Sequence, residues 1–183
     1  ADMLHPTDLG HKMIADLICN LLDTEYSYYK KLGAEKKPAL PEPFTASTYE
    51  DAQRFQNYSC SPVMEGFEPD THAAEQWSDP FKGGWIAHKQ GSCIKFNVSG
   101  GIIMLQYRKT INKPAPVAYA VIDGDRQNKV LLDANFDEDW GDLCCLEEIY
   151  SGAKGEHTVE IVIDTEGGEN SDFMLISVIT ANK

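Results

Sequence analysis

The chain is short of basic charge, of long apolar runs and of paired cysteines, and each shortage closes off a class of function. Sixteen Lys and Arg stand against twenty-nine Asp and Glu, a formal net charge of -13. Phosphate backbones and anionic lipid are held by Lys and Arg that neutralise them, so neither nucleic acid nor a membrane surface is an expected partner. No window approaches the roughly 18 to 20 apolar residues of a membrane span. No charged start, apolar stretch and small-residue cleavage site opens the chain either, and it reads as soluble. The five cysteines, Cys19, Cys60, Cys93, Cys144 and Cys145, are an odd set without C-x-x-C spacing. They predict free, mostly buried thiols rather than a disulfide framework.

What is present divides in two. From Leu9 onward Leu9, Met13, Ile14, Leu17, Ile18, Leu21 and Leu22 recur at spacings of three and four, which puts them on one face of a helix. Thr7 after Pro6 is a suitable N-cap, and Asp8 suits the positive end of the helix dipole. The helix continues through "DTEYSYYKKL" to Gly33. Residues 34–54 begin with "AEKKPALPEPF", whose three prolines mark a linker or a strap.

Beyond it the pattern turns to short runs rich in β-branched and aromatic residues: "FQNYSC", "GWIAHK", "SCIKFNVS", "GIIMLQYRK", "VAYAVIDG", "NKVLLDA", "HTVEIVI" and "FMLISVITA". In "HTVEIVI" the residues Val159, Ile161 and Ile163 fall on one face and Thr158, Glu160 and Val162 on the other. Gly100-Gly101 and Asp123-Gly124-Asp125 read as hairpin connections. Some eight strands without crossover helices predict a mainly β protein. Its 55–183 part is an antiparallel, jelly-roll-like sandwich, preceded by one long helix in 1–33.

Burying the apolar face of that helix is worth on the order of 10 kcal/mol, whereas an isolated helix in water is marginal. The face needs a surface: the sandwich, a second copy of the chain, or a domain outside it. Self-association through the helix is therefore expected.

The residues that open the helix carry a motif. Asp2-Met3-Leu4-His5-Pro6 leads into Gly10-His11-Lys12-Met13-Ile14-Ala15. This stretch resembles the last sequence block of the GDSL-type, or SGNH, hydrolases, where Asp-x-x-His-Pro precedes Gly-x-x-x-apolar-Ala on the final helix. The resemblance covers about the first twenty residues. It implies an α/β domain that hydrolyses esters with a Ser-His-Asp triad, His5 being the general base and Asp2 the carboxylate that orients it. The chemistry suits those residue types, since a serine hydroxyl is a poor nucleophile until an imidazole removes its proton and a carboxylate fixes the ring tautomer.

The family's Gly-Asp-Ser block has no counterpart here: Gly124-Asp125-Arg126 and Gly141-Asp142-Leu143 lack the serine. The expectation is a carboxyl-terminal part of a larger esterase, inactive alone, whose partner is a catalytic domain in the same polypeptide. Small acyl esters, acetylated carbohydrate among them, are the expected substrates. No cofactor is required.

The other expectation is a binding module. Trp77, Trp85 and Trp140 are candidate ligand-binding residues, because flat rings stack on the C–H faces of pyranoses. Core packing is the competing use of such rings, and Trp140, within the acidic "NFDEDWGD", is the one whose neighbours predict exposure. Glu68, Asp70, His72, Glu75 and Asp79 match no defined metal loop, so they read as an acidic surface loop and no metal is expected. His157 reads as structural, and His11 as helix surface.

Overall fold

The computed structural model describes residues 5–32, 45, 47–72, 79–169 and 171–182. Asp2, Glu75, Trp77 and the proline-rich 34–44 lie outside the described residues. The chain divides into two units, 1–45 and 46–183.

In the first unit, α1 (Asp8–Leu32) forms as its periodicity predicts. Thr7 caps it: Gly10 N donates to Thr7 Oγ1 at 3.2 Å and His11 N to the Thr7 carbonyl at 2.8 Å. Asp8 in the first turn and Lys30 and Lys31 in the last complement the helix dipole. Lys12 and Asp16 pair at 2.7 Å one turn apart. No residue of α1 is buried, and Leu17 is 69% exposed. No helix among the described residues is long and apolar enough to cross a membrane.

The second unit is antiparallel β. Its strands are β1 (Gln53–Phe55), β2 (Val63–Glu65), β3 (Phe67–Pro69), β4 (Trp85–Ala87), β5 (Cys93–Lys109), β6 (Val117–Ile122), β7 (Val130–Asp133), β8 (Leu143–Thr165) and β9 (Phe173–Ala181). β1 begins inside the stretch read as the strap. Two of the strands, β5 and β8, are long enough to belong to two layers. Residues 102–109 of β5 lie between β9 and the start of β8, and β9 pairs in turn with β4 and β1. Residues 93–100 of β5 lie between β2 and the end of β8, which continues through β6 to β7. The register shifts between Gly100 and Ile102, the bulge at which β5 bends from one layer to the other.

The inner faces close on each other. Ile94, Phe96 and Val98 of β5, Val159, Ile161 and Ile163 of β8, and Ala118 and Ala120 of β6 meet Ile103, Leu105 and Tyr107 of β5, Phe173 and Leu175 of β9, and Trp85 of β4 in one cluster. Each large side chain so buried contributes about 1.5 to 3 kcal/mol. Phe173 stacks on Tyr107 at 5.9 Å, and Trp85 meets Phe96 edge-on at 5.0 Å.

Several expectations are corrected. Gly100-Gly101 is no hairpin: the two runs on either side of it are one strand of 17 residues. "FQNYSC" is strand only at its first residue, because Gln56 to Cys60 form a turn closed by Cys60 N on the Gln56 carbonyl. β8 starts fourteen residues before His157, in a stretch whose glycines, lysine and glutamates hide its β character. The Asp123-Gly124 turn is as read, with φ of 52° and 77°. It leads into a 3-10 turn, Arg126–Asn128, capped by the Asp125 carboxylate.

Gly84 shows how tightly the first layer is built. A Cβ there would lie 1.9 Å from the Leu175 carbonyl oxygen of β9, while the Gly84 carbonyl accepts from Asp70 N and Asn57 Nδ2. Gly84→Ala is expected to cost roughly 3 kcal/mol or more, measured as the urea midpoint of unfolding. An unchanged midpoint would show that β4 has room to shift.

Candidate functional site

Two places carry the chemistry anticipated above, one in each unit. At the amino end, His5 is exposed and sits in a bend three residues before α1. Gly10 allows this entry: a Cβ there would come 3.1 Å from Pro6 Cβ, so its absence lets the His5-Pro6 turn close over the first helical turn. The glycine of the motif thus has a geometric use, to seat the histidine-proline turn on the helix. Asp2 lies outside the described residues.

The apolar residues of α1 cover a wide arc. At about 100° per residue, Met13 through Tyr26 span roughly 220° of the circumference. Ile14, Ile18, Leu21 and Leu32 stand within about 30° of its middle, and all four are exposed. A coiled-coil seam is much narrower.

The second place is one end of the sandwich. The pairings Lys109 with Leu143, Tyr107 with Leu175, Phe173 with Ala87, and Val117 with both Thr165 and Asp133 bring four cross-layer loops to that end. They run over 88–92, 110–116, 134–142 and 166–172. Hydrogen bonds stitch them together. Thr110 N donates to the Ala134 carbonyl and Phe136 N to the Thr110 carbonyl. The Asn135 side chain accepts from Ala115 N at 2.9 Å and donates to the Ala115 carbonyl at 3.2 Å. Gly168 N reaches the Pro114 carbonyl at 2.7 Å, and Ser171 Oγ the Asn112 carbonyl at 3.2 Å.

On this frame stands Trp140, 63% exposed. Phe136 meets it edge-on, ring centres 5.1 Å apart at 89°, and so props the indole from its own loop. Lys113 bonds to Asp137, and that hydrogen bond together with the positive charge of the lysine holds the carboxyl below the usual carboxylate range. The far end of the loop is tied by Arg108, whose guanidinium lies 3.7 Å from Asp142 and donates to the Asp172 carbonyl at 3.4 Å. Beside these residues Ile111, Asn112, Lys113, Glu169 and Ser171 line an open depression of about 450 Å³. At this end of the sandwich a propped, exposed ring can stack one face of a flat or cyclic ligand, and a polar hollow lined by other residues offers hydrogen bonds.

The three tryptophans therefore separate. Trp140 presents its ring to solvent. Trp85, expected as a ligand-binding residue, is 1% exposed and belongs to the core, because its position on β4 opposite Leu175 turns it inward. Trp77 lies outside the described residues.

The histidines and acids also find places. Asp70, read as part of a surface loop, has a side chain that is 0% exposed; its Oδ1 accepts from His72 N at 3.0 Å and contacts His72 Nδ1 at 2.8 Å. His88 meets Asp172 at 2.5 Å and Glu68 at 4.0 Å. His157 is structural: its Nδ1 bonds to Asp123 at 2.7 Å, and that hydrogen bond holds the Asp123 carboxyl low.

Thiol chemistry has no support. All five cysteines are free, Cys19 is exposed and the others are half-buried rather than buried. Burial raises Cys60 and Cys144, and burial together with the Glu160 hydrogen bond pushes Cys93 up to about 11.

No family model matches the chain, and no curated protein matches it. Among solved structures, it is similar to a two-domain esterase (CEX) active on acetylated mannans, co-crystallized with mannopentaose. That match has 42% identity over 98% of this chain and 48% of the esterase, with a TM-score of 0.79. A second crystal structure of a two-domain esterase (CEX) active on acetylated mannans matches at 41% identity over 98% of this chain and 49% of its own, with a TM-score of 0.81. A family two carbohydrate esterase from Cellvibrio japonicus shares the fold alone, at 12% identity over 73% of this chain and 34% of that one, TM-score 0.53. This chain is thus homologous to a carbohydrate esterase and spans about half of its length. With 98% of the chain covered, the match takes in α1 as well as the sandwich.

Proposed function

We propose that the chain is the carboxyl-terminal part of an SGNH-type serine esterase acting on acetylated carbohydrate. In this reading residues 1–33 belong to the catalytic domain and 55–183 form an accessory sandwich. The observation that carries it is the 42% identity, over 98% of the chain, to an esterase active on acetylated mannans. The Asp-x-x-His-Pro block ahead of α1 and the wide apolar arc of the helix support the same reading. The arc is suited to the interior face of an α/β domain, which a self-associating helix pair would not fill.

His5 is then the general base. It takes the proton from a serine hydroxyl as that oxygen attacks the acyl carbonyl, and returns it to the departing sugar oxygen; water then releases the acyl group by the same route. Asp2 bonds to the other ring nitrogen and stabilises the imidazolium. The serine is supplied by a domain upstream in the same polypeptide. The 183 residues alone should release no acetate from acetylated oligosaccharide, and the polypeptide extended upstream should release it. Turnover by the 183-residue chain would place the nucleophile inside it and overturn this division.

A second reading of the sandwich is favoured by one observation, the exposed and propped Trp140. Its ring stacks on the glycan, and the polar hollow at the same end of the sandwich is open to a further sugar of the same chain. Trp140→Ala is expected to weaken binding of the chain to a soluble mannan about tenfold, since stacking of an aromatic ring contributes about 0.5 to 1.5 kcal/mol beyond its buried area. Affinity electrophoresis reads this directly. Unaltered retardation of the variant would move the ligand away from Trp140.

A further inference from the structure

We infer that the loop end bearing Trp140 accepts uncharged glycans and turns away glycans of uronic acids; this rests on the second reading of the sandwich given above. The ring pair is flanked on its own loop by Asp137, Glu138, Asp139 and Asp142, and the 166–172 loop adds Glu166, Glu169 and Asp172. Of the permanent cations at this end, Lys113 is bonded to Asp137 and Arg108 lies 3.7 Å from Asp142, which leaves Lys89 of the 88–92 loop and Lys109 at the end of β5 against an excess of carboxylates. Among the described residues Glu138, Asp139, Glu166 and Glu169 have no cation within ion-pair distance, and all four are exposed.

This arrangement treats two kinds of sugar differently. An uncharged pyranose lays its C–H face on the indole and gives its hydroxyl protons to carboxylate oxygens, which are acceptors only. A uronate brings a carboxylate that has no proton to give and needs a guanidinium or ammonium. Seated on Trp140, it would lie within about one Debye length, roughly 8 Å at physiological salt, of several like charges. Like charges brought together at an interface oppose binding strongly. The excess of acid in the whole chain points the same way, since the net charge of -13 repels an anionic polymer at a distance.

The test is a titration of the 183-residue chain with mannopentaose and with pentamannuronate, which differ only in the oxidation of C6, at roughly 20 mM and 500 mM salt. Mannopentaose should bind, and Trp140→Ala should weaken it. Pentamannuronate should bind at least about tenfold more weakly at low salt, and the gap should narrow at high salt and in the E138Q/D139N double variant, whose changes are on exposed residues. Equal affinity for both sugars, unmoved by salt, would overturn the selectivity and leave the Trp140 site standing. If mannopentaose does not bind, or binds the Trp140→Ala variant as well, the site reading fails and the selectivity with it.

Discussion

In a polypeptide that joins this chain to the upstream domain, His5→Ala is expected to lower kcat for deacetylation by about 10⁴- to 10⁶-fold. The size follows from the role proposed for His5 as general base. Without the imidazole the serine keeps its proton, and only substrate binding and the groups that stabilise the oxyanion remain. Asp2→Asn should cost about 10⁴-fold, because the amide favours the wrong ring tautomer. His11→Ala, six residues further on and exposed near the start of α1, should leave kcat within a few-fold and serves as the control. Release of acetate from acetylated manno-oligosaccharide checks all three, with circular dichroism confirming that the helix persists. A His5→Ala protein with full activity would remove His5 from the triad, whatever the homology to the esterase implies.

The second large effect is one of stability. Trp85→Ala is expected to cost about 3 to 5 kcal/mol, the range for emptying a buried aromatic site. Trp85 is 1% exposed, sits in the middle of the inter-layer cluster and packs edge-on against Phe96. Against a total stability of about 5 to 15 kcal/mol for a domain, that loss moves the urea midpoint far to the left or leaves the sandwich unfolded. Trp140→Ala, at an exposed loop position, should stay within about 0.5 kcal/mol of the parent. Two substitutions of the same residue type therefore separate a packing tryptophan from a binding one. A Trp85→Ala chain that unfolds at the parental midpoint and loses glycan binding would return Trp85 to the ligand site.

The same pair shows where reading a sequence succeeds. Trp140 was legible because its neighbours, Asp137, Glu138, Asp139, Gly141 and Asp142, are all unsuited to a core, so exposure followed from local composition. Trp85 stands in "GWIAHK", where the apolar Trp-Ile-Ala run reads as a strand but does not say which of its faces is the inner one. Its environment comes from Leu175 of β9, ninety residues away. His88 and Asp172 are a like case, an ion pair between residues with no sequence relation.

Local rules were enough wherever the determining partners lie within a few residues. The three-and-four spacing, the Thr7 cap and the terminal charges specify α1; alternation specifies the buried face of Val159, Ile161 and Ile163; and the Asp123-Gly124 pair specifies its turn. Each of these depends on backbone preferences and on side chains one turn or one pleat apart. Long-range pairing was needed for the rest. It made one bent strand out of two runs joined by Gly100 and Gly101, tied the Asp70 backbone to Gly84 and Asn57, and gathered four loops from scattered segments so that Phe136, Trp140 and Lys113 share one end of the sandwich. Those outcomes depend on which strands become neighbours, and that is decided by the packing of two layers around one core rather than by any short stretch of chain.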